Sequence, residues 1–283
     1  MTQNHTSATM DTALTVRSRD GAEIRYLSMG DGPSVLIIPG ALSMAADYAD
    51  FARALAEHFT VHVIERRGRG CSSPQGDDYS MAKERDDVLA LQERTGASFL
   101  VGNSSGGLAA LESARDNHAL TKIAVYEPGV SIDRSIPMDW MPGYEKKLAE
   151  EKYFDAFVEF TRGTGPARAR KAPRWLMKLL LRIFLSSHER QQMLGLLPEN
   201  LREHRAVARL DSSYENYREI SAEVLLMYGG KSDSKWVNTA MERLAAVLPH
   251  SETKEFPTLD HFGIDKKAPR EVAAAVSDYF LKS

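Results

Sequence analysis

The sequence predicts an α/β fold: a mostly parallel central sheet with helices on both faces, interrupted by a helical cap insertion. Three observations carry this. Continuous apolar runs such as Val35-Leu36-Ile37-Ile38 have the look of strands buried on both faces. Strand-like and helix-like stretches alternate through most of the chain, as a parallel sheet with crossover helices requires. Between about residues 132 and 221 the alternation lapses and only helical patterns remain.

Taken in order, residues 1–12 are polar and read as a disordered tail. Ala13–Ser18 and Glu23–Ser28 flank Asp20-Gly21, a hairpin signal. Gly30-Asp31-Gly32-Pro33 then breaks the chain before the apolar run at 35–38. Further strands are expected at Thr60–Glu65, Ser98–Gly102, Lys122–Tyr126, Glu223–Tyr228 and Glu252–Phe256. Helices are expected at Ala45–His58, Met81–Thr95, Gly106–Asp116, Val237–Leu248 and Pro269–Leu281. The core thus comprises 13–131 and 222–283. The insertion, 132–221, contains amphipathic segments at Gly143–Thr161, Pro173–Leu185 and His188–Leu197.

Composition narrows the class. A net charge of −3 gives no global attraction to nucleic acid. A small-molecule substrate is the expected partner, with an apolar portion suggested by Phe154, Phe157, Trp175, Met177 and Phe184 of the insertion. The single cysteine, Cys71, excludes an internal disulfide and a cysteine-rich metal site. The N-terminal residues lack the apolar core of a secretory signal, and no apolar stretch is long enough to span a bilayer. A cytoplasmic protein without metal or cofactor is the resulting expectation.

The chemistry starts at Gly102-Asn103-Ser104-Ser105-Gly106, between a strand-like run and a helix-like one. A serine on such a strained turn exposes its hydroxyl above the sheet, and glycines two residues before and after it remove side chains that would collide with neighbouring elements. Ser104 is therefore the expected nucleophile. The N–H of Ser105, at the helix start, is an expected oxyanion donor. A serine hydroxyl also needs a base, and a third group to orient that base. His261 follows the last strand in a short loop before the final helix. For the acid, Asp233 follows the strand at 223–228 and its glycines, at the edge where open α/β folds build their sites. Glu127, at the end of the strand Lys122–Tyr126, is the rival. The chain order Ser104, Asp233, His261 is serine, acid, histidine.

With these residues the chain resembles the α/β-hydrolase superfamily over roughly residues 13–282. Ile37-Ile38-Pro39-Gly40-Ala41-Leu42 is similar to the family's oxyanion loop, with Pro-Gly in place of His-Gly. That resemblance implies a second oxyanion N–H at Ala41. Glu65-Arg66-Arg67-Gly68-Arg69-Gly70-Cys71-Ser72 is similar to a structural stretch of the family, so Arg67 and Cys71 are given no catalytic role. The resemblance implies cofactor-independent hydrolysis of an ester-type bond through an acyl-enzyme on Ser104. Esterases, lactonases, thioesterases, amidases and carbon–carbon bond hydrolases share these motifs, and Asn103 beside the nucleophile resembles the meta-cleavage-product hydrolases. A carbon–carbon hydrolase or lyase, and a ligand-binding receptor of the same fold, are the alternatives.

The insertion holds one further pattern. Seven basic and no acidic residues lie between Arg162 and Arg182, and Arg174, Lys178 and Arg182 recur every four residues beside Trp175, Leu176, Leu179, Leu180, Ile183 and Phe184. The plain expectation is a helix with its cations in solvent and its apolar face on the core. The alternatives are a helix that lies on an anionic membrane or one that guides an acidic substrate.

Overall fold

The computed structural model describes residues 12–165, 167–232 and 235–282. The expected tail lies almost wholly outside them, and so does Asp233. The chain opens with a hairpin of β1 (Thr12–Arg17) and β2 (Glu23–Met29), turning at Asp20-Gly21 as expected. It continues through β3 (Ser34–Ile38), a 3₁₀ turn at Ala45–Tyr48, α1 (Ala49–Leu55), β4 (Thr60–Glu65) and α2 (Met81–Thr95). Next come β5 (Phe99–Asn103), α3 (Ser105–Ala114) and β6 (Lys122–Tyr126).

Six helices follow before the sheet resumes: α4 (Met141–Ala149), α5 (Tyr153–Thr164), α6 (Ala167–Lys171), α7 (Arg174–Phe184), α8 (Ser187–Gly195) and α9 (Leu197–Arg209). A 3₁₀ turn at Tyr214–Glu219 leads into β7 (Glu223–Gly229), α10 (Lys235–Val247) and β8 (Ser251–Phe256). A π-helical turn at Gly263–Lys267 and α11 (Pro269–Leu281) close the chain.

The eight strands form one sheet in the order β1-β2-β4-β3-β5-β6-β7-β8, with β1–β2 and β2–β4 antiparallel and every other pair parallel. Period-two alternation in β3 splits the core in two. Leu36 and Ile38 join Val88, Leu91, Leu108 and Leu111 of α2 and α3 on one face. Val35 and Ile37 join Phe51, Leu55, Val276 and Phe280 of α1 and α11 on the other. A third apolar cluster gathers Trp140, Tyr144, Phe157, Leu197 and Leu201 around Leu42, which belongs to the loop after β3.

Two details of the insertion differ from expectation. The segment 143–161 is two helices, because Glu151 adopts a left-handed φ of 56° and the N–H of Lys152 closes back onto the carbonyl of Lys147. Helix α9, beginning with Leu197-Pro198, has no counterpart in the sequence reading. Among the described residues no helix is long and apolar enough to cross a membrane.

Candidate active site

Each chemical group stands where a parallel strand ends. β5 stops at Asn103 and Ser104 takes φ 51° and ψ −121°, a strained conformation held because the turn is fixed on both sides. The N–H of Ser104 donates to the carbonyl of Tyr126 at 3.1 Å, and its carbonyl accepts from Gly129 and Leu108. Here the glycines are obligatory. A Cβ on Gly102 would stand 2.5 Å from the Gly106 carbonyl oxygen, and one on Gly106 would stand 2.2 Å from that of Ile38. Among the described residues the Ser104 hydroxyl makes no hydrogen bond, and the N–H groups of Ala41 and Ser105 have no acceptor.

The imidazole of His261 is oriented by Glu127. Their Nδ1–Oε2 separation is 2.7 Å, and Glu127 is fully buried while the histidine side chain is one-third exposed. The other carboxylate oxygen of Glu127 accepts from the Gly229 N–H at 2.9 Å and from the Ser232 hydroxyl. The Glu127 backbone sits at φ 43°, a second non-glycine residue in the left-handed region at this edge. Tyr126 ties in the histidine loop by donating its hydroxyl proton to the Asp260 carbonyl at 2.7 Å. Of the two acids read from the sequence, Glu127 is among the described residues and its carboxylate meets the histidine, whereas Asp233 lies outside them. Sheet order brings Glu127 there: it directly follows β6, which lies beside β5, the strand that leads into Ser104.

Burial pulls the His261 pKa down, but the Glu127 hydrogen bond and charge, with the charges of Asp265 and Asp260, outweigh it. The imidazole is left above its ordinary 6.5. Trp236 and Phe262 meet the ring edge-on at 5.9 and 5.8 Å between centroids.

The loop after β3 is braced by residues the sequence reading did not single out. The Tyr48 hydroxyl accepts from the Gly40 N–H at 3.1 Å and from Asn103 Nδ2 at 2.8 Å, joining this loop to the nucleophile turn. Arg66, fully buried, donates to the Pro39 carbonyl at 3.3 Å and to Ser105 Oγ at 3.0 Å. Arg69 donates to the carbonyls of Gly40 and Ser43 at 2.9 and 3.0 Å. Both arginines also grip Glu203 of α9, at 3.2 and 2.5 Å. Burial raises the Glu203 carboxyl, but the two cations outweigh it and hold its pKa below the ordinary range. Only the run of arginines after β4 hinted at this network. Arg67 keeps the structural part expected of it, between Asp87 and Asp20, and Cys71 is exposed.

A strained serine at a strand–helix turn, two free N–H groups and a carboxylate-bound histidine are the parts of an acyl-transfer centre. Residues 35–275 match the family described as the alpha/beta hydrolase family. The chain belongs to that family. This α/β hydrolase is 29% identical to an alpha/beta hydrolase from Sphaerobacter thermophilus of known crystal structure, with a TM-score of 0.79 over 94% of this chain and 100% of that one. It is 27% identical to the pimeloyl-[acyl-carrier protein] methyl ester esterase of Xanthomonas campestris pv. campestris over 79% of this chain and 86% of that protein. It is also 30% identical to the N-formylmaleamate deformylase of Pseudomonas putida over 40% of this chain; the chain spans 44% of that relative's length. The hydrolase is an enzyme whose relatives include esterases.

Proposed function

We propose that this α/β hydrolase cleaves an ester-type bond of a small molecule through an acyl-enzyme on Ser104. The observation that carries the reading is the 2.7 Å bond from His261 to buried Glu127, at the strand edge that also carries the strained Ser104 turn. His261 takes the Ser104 proton as the hydroxyl attacks the carbonyl, and Glu127 holds the imidazole in one tautomer and stabilises its cation. The N–H groups of Ala41 and Ser105 receive the oxyanion, aided by the N-terminal dipole of α3. His261 then protonates the leaving alcohol and activates the water that releases the acyl group. This chemistry needs no cofactor. In this reading the helices between β6 and β7 form the cap, whose cluster around Leu42 lies over the oxyanion loop.

Replacing Ser104 by alanine is expected to abolish both hydrolysis of short aryl esters and labelling by a fluorophosphonate. Labelling that survives in Ser104→Ala overturns the assignment. The relative named a deformylase favours a second reading, an amide-type bond cut by the same residues. A panel of esters, thioesters, lactones and formamides, with a ring-fission dienoate for the carbon–carbon alternative, ranks the bonds by kcat/KM.

A further inference from the structure

The outer helix of the insertion inverts the usual rule of burial. On α7, Trp175 is 67% exposed, Leu179 47%, Ile183 64% and Phe184 77%. Trp175, Leu179 and Ile183 recur every four residues and so form one outward stripe. The inner side is already occupied: Met177 is buried, and Leu181 and Leu185 pack on the cluster around Leu42. Eight large apolar residues around one helix exceed what that inner side can cover.

A cationic stripe runs beside the apolar one. Arg174 pairs with Glu159, Lys178 pairs with Asp155 at 2.5 Å, and the Arg182 guanidinium lies over the Phe154 ring at 5.1 Å. These partners pin the cations along the edge of the apolar stripe. Lys171, just before the helix, is exposed. From Tyr153 to Leu185 the chain carries seven basic residues against two acidic ones, a net +5 on a chain whose total is −3.

We propose that α7 is a docking face for an anionic lipid surface. Trp175, Leu179, Ile183 and Phe184 enter the headgroup–acyl boundary while Arg182 and its basic neighbours remain at headgroup level. The charge selects this occupant. A second copy would bring the same cationic face against itself, and like charges repel. A zwitterionic or neutral surface would satisfy the apolar stripe but offer no counter-charge to Arg182 and Lys171, which, unlike Arg174 and Lys178, have no carboxylate partner among the described residues.

The test uses the full chain, with vesicles of phosphatidylcholine alone or mixed with phosphatidylglycerol. Trp140 is buried and Trp236 half-buried, so a blue shift of tryptophan emission on binding reports mainly on Trp175. The protein is expected to co-sediment with the mixed vesicles, to shift its emission, and to be released by added salt. The double variant Trp175→Ser, Phe184→Ser should keep its thermal unfolding midpoint and sediment with the same vesicles about tenfold less or weaker still. Equal affinity for the two vesicle types overturns the proposal, as does a double variant that binds undiminished. Concentration-dependent self-association without lipid, removed by the same variant, would make the face a contact between copies and overturn it too.

Discussion

Helices α9 and α7 belong to the same insertion and treat water in opposite ways. α9 carries the carboxylate of Glu203 into the interior, 1% exposed, against Arg66 and Arg69. α7 holds a tryptophan, an isoleucine and a phenylalanine largely in solvent. A buried carboxylate is tolerable because its partners are fixed: both arginines, Gln75 Nε2 at 3.3 Å and Ser105 Oγ all converge on it. The same arginines hold the carbonyls of Pro39 and Gly40 in the loop after β3. The inner helix is thereby fastened to the reacting centre by oriented charge, whereas the outer one is joined to the body only along its inner edge.

A third residue sharpens the contrast. Glu127 is buried as completely as Glu203, yet one of its oxygens binds a half-buried imidazole that, in the proposed mechanism, gains and loses a proton. Glu127→Gln should therefore leave the fold intact and lower kcat steeply, by a factor on the order of 10⁴ as in other serine triads that lose their acid. Asp233→Asn should cost far less. Comparable losses from the two replacements would return Asp233 to the triad. The pH profile carries a separate signal. In the proposed mechanism catalysis needs neutral His261, so the acidic limb of kcat/KM is expected above pH 6.5, and in Glu127→Gln it should move to lower pH because the main opposition to burial is gone. Stability runs the other way: protonated His261 contributes below pH 6.5, and the contribution fades as pH rises through the elevated pKa.

Glu203→Ala breaks the inner half of the comparison directly. It strands Arg66 and Arg69 in the interior, though Arg66 keeps its two-point bond to Glu84 at 2.9 and 3.1 Å. The expected loss is about 3–5 kcal/mol in denaturant unfolding, with turnover falling as the oxyanion loop loosens. A loss below about 1 kcal/mol would show that water replaces the carboxylate and that α9 is not fastened by charge.

These contrasts mark what the sequence discloses. The sheet was legible because Val35-Leu36-Ile37-Ile38 and its parallel neighbours are apolar on both faces, and crossover helices such as α2, between Ser80 and the left-handed Gly96, carry plain end signals. The strained turn at Ser104 was legible because no side chain at 102 or 106 could coexist with it, so the constraint is local. The acid was not. Glu127 and Asp233 both follow strands, and a linear pattern does not reveal that β6 lies beside β5, which brings Glu127 to the edge where it meets His261. Glu203 and Tyr48 were invisible for the same reason, since their partners lie far away in the chain. The amphipathic pattern of 174–184 was plain, but periodicity identifies faces and does not say which one meets the core. The expected orientation was apolar side inward, and the structure turns much of that side out.

The smallest expected effect concerns that outer face. Trp175, Ile183 and Phe184 already meet solvent, so polar replacements remove little packing and should change unfolding free energy by no more than about 0.5 kcal/mol. Met177→Ser, on the inner side of the same helix, exchanges a 7%-exposed thioether for a hydroxyl and should cost about 2 kcal/mol or more. Denaturant melts of Trp175→Ser and Met177→Ser measure the difference across one turn of helix. If the two cost the same, the stripe is covered in the folded protein, and the opposition between α7 and α9 disappears. If they separate as expected, the apolar stripe is not held outward by any gain in folding stability, so its cause lies in what the helix touches.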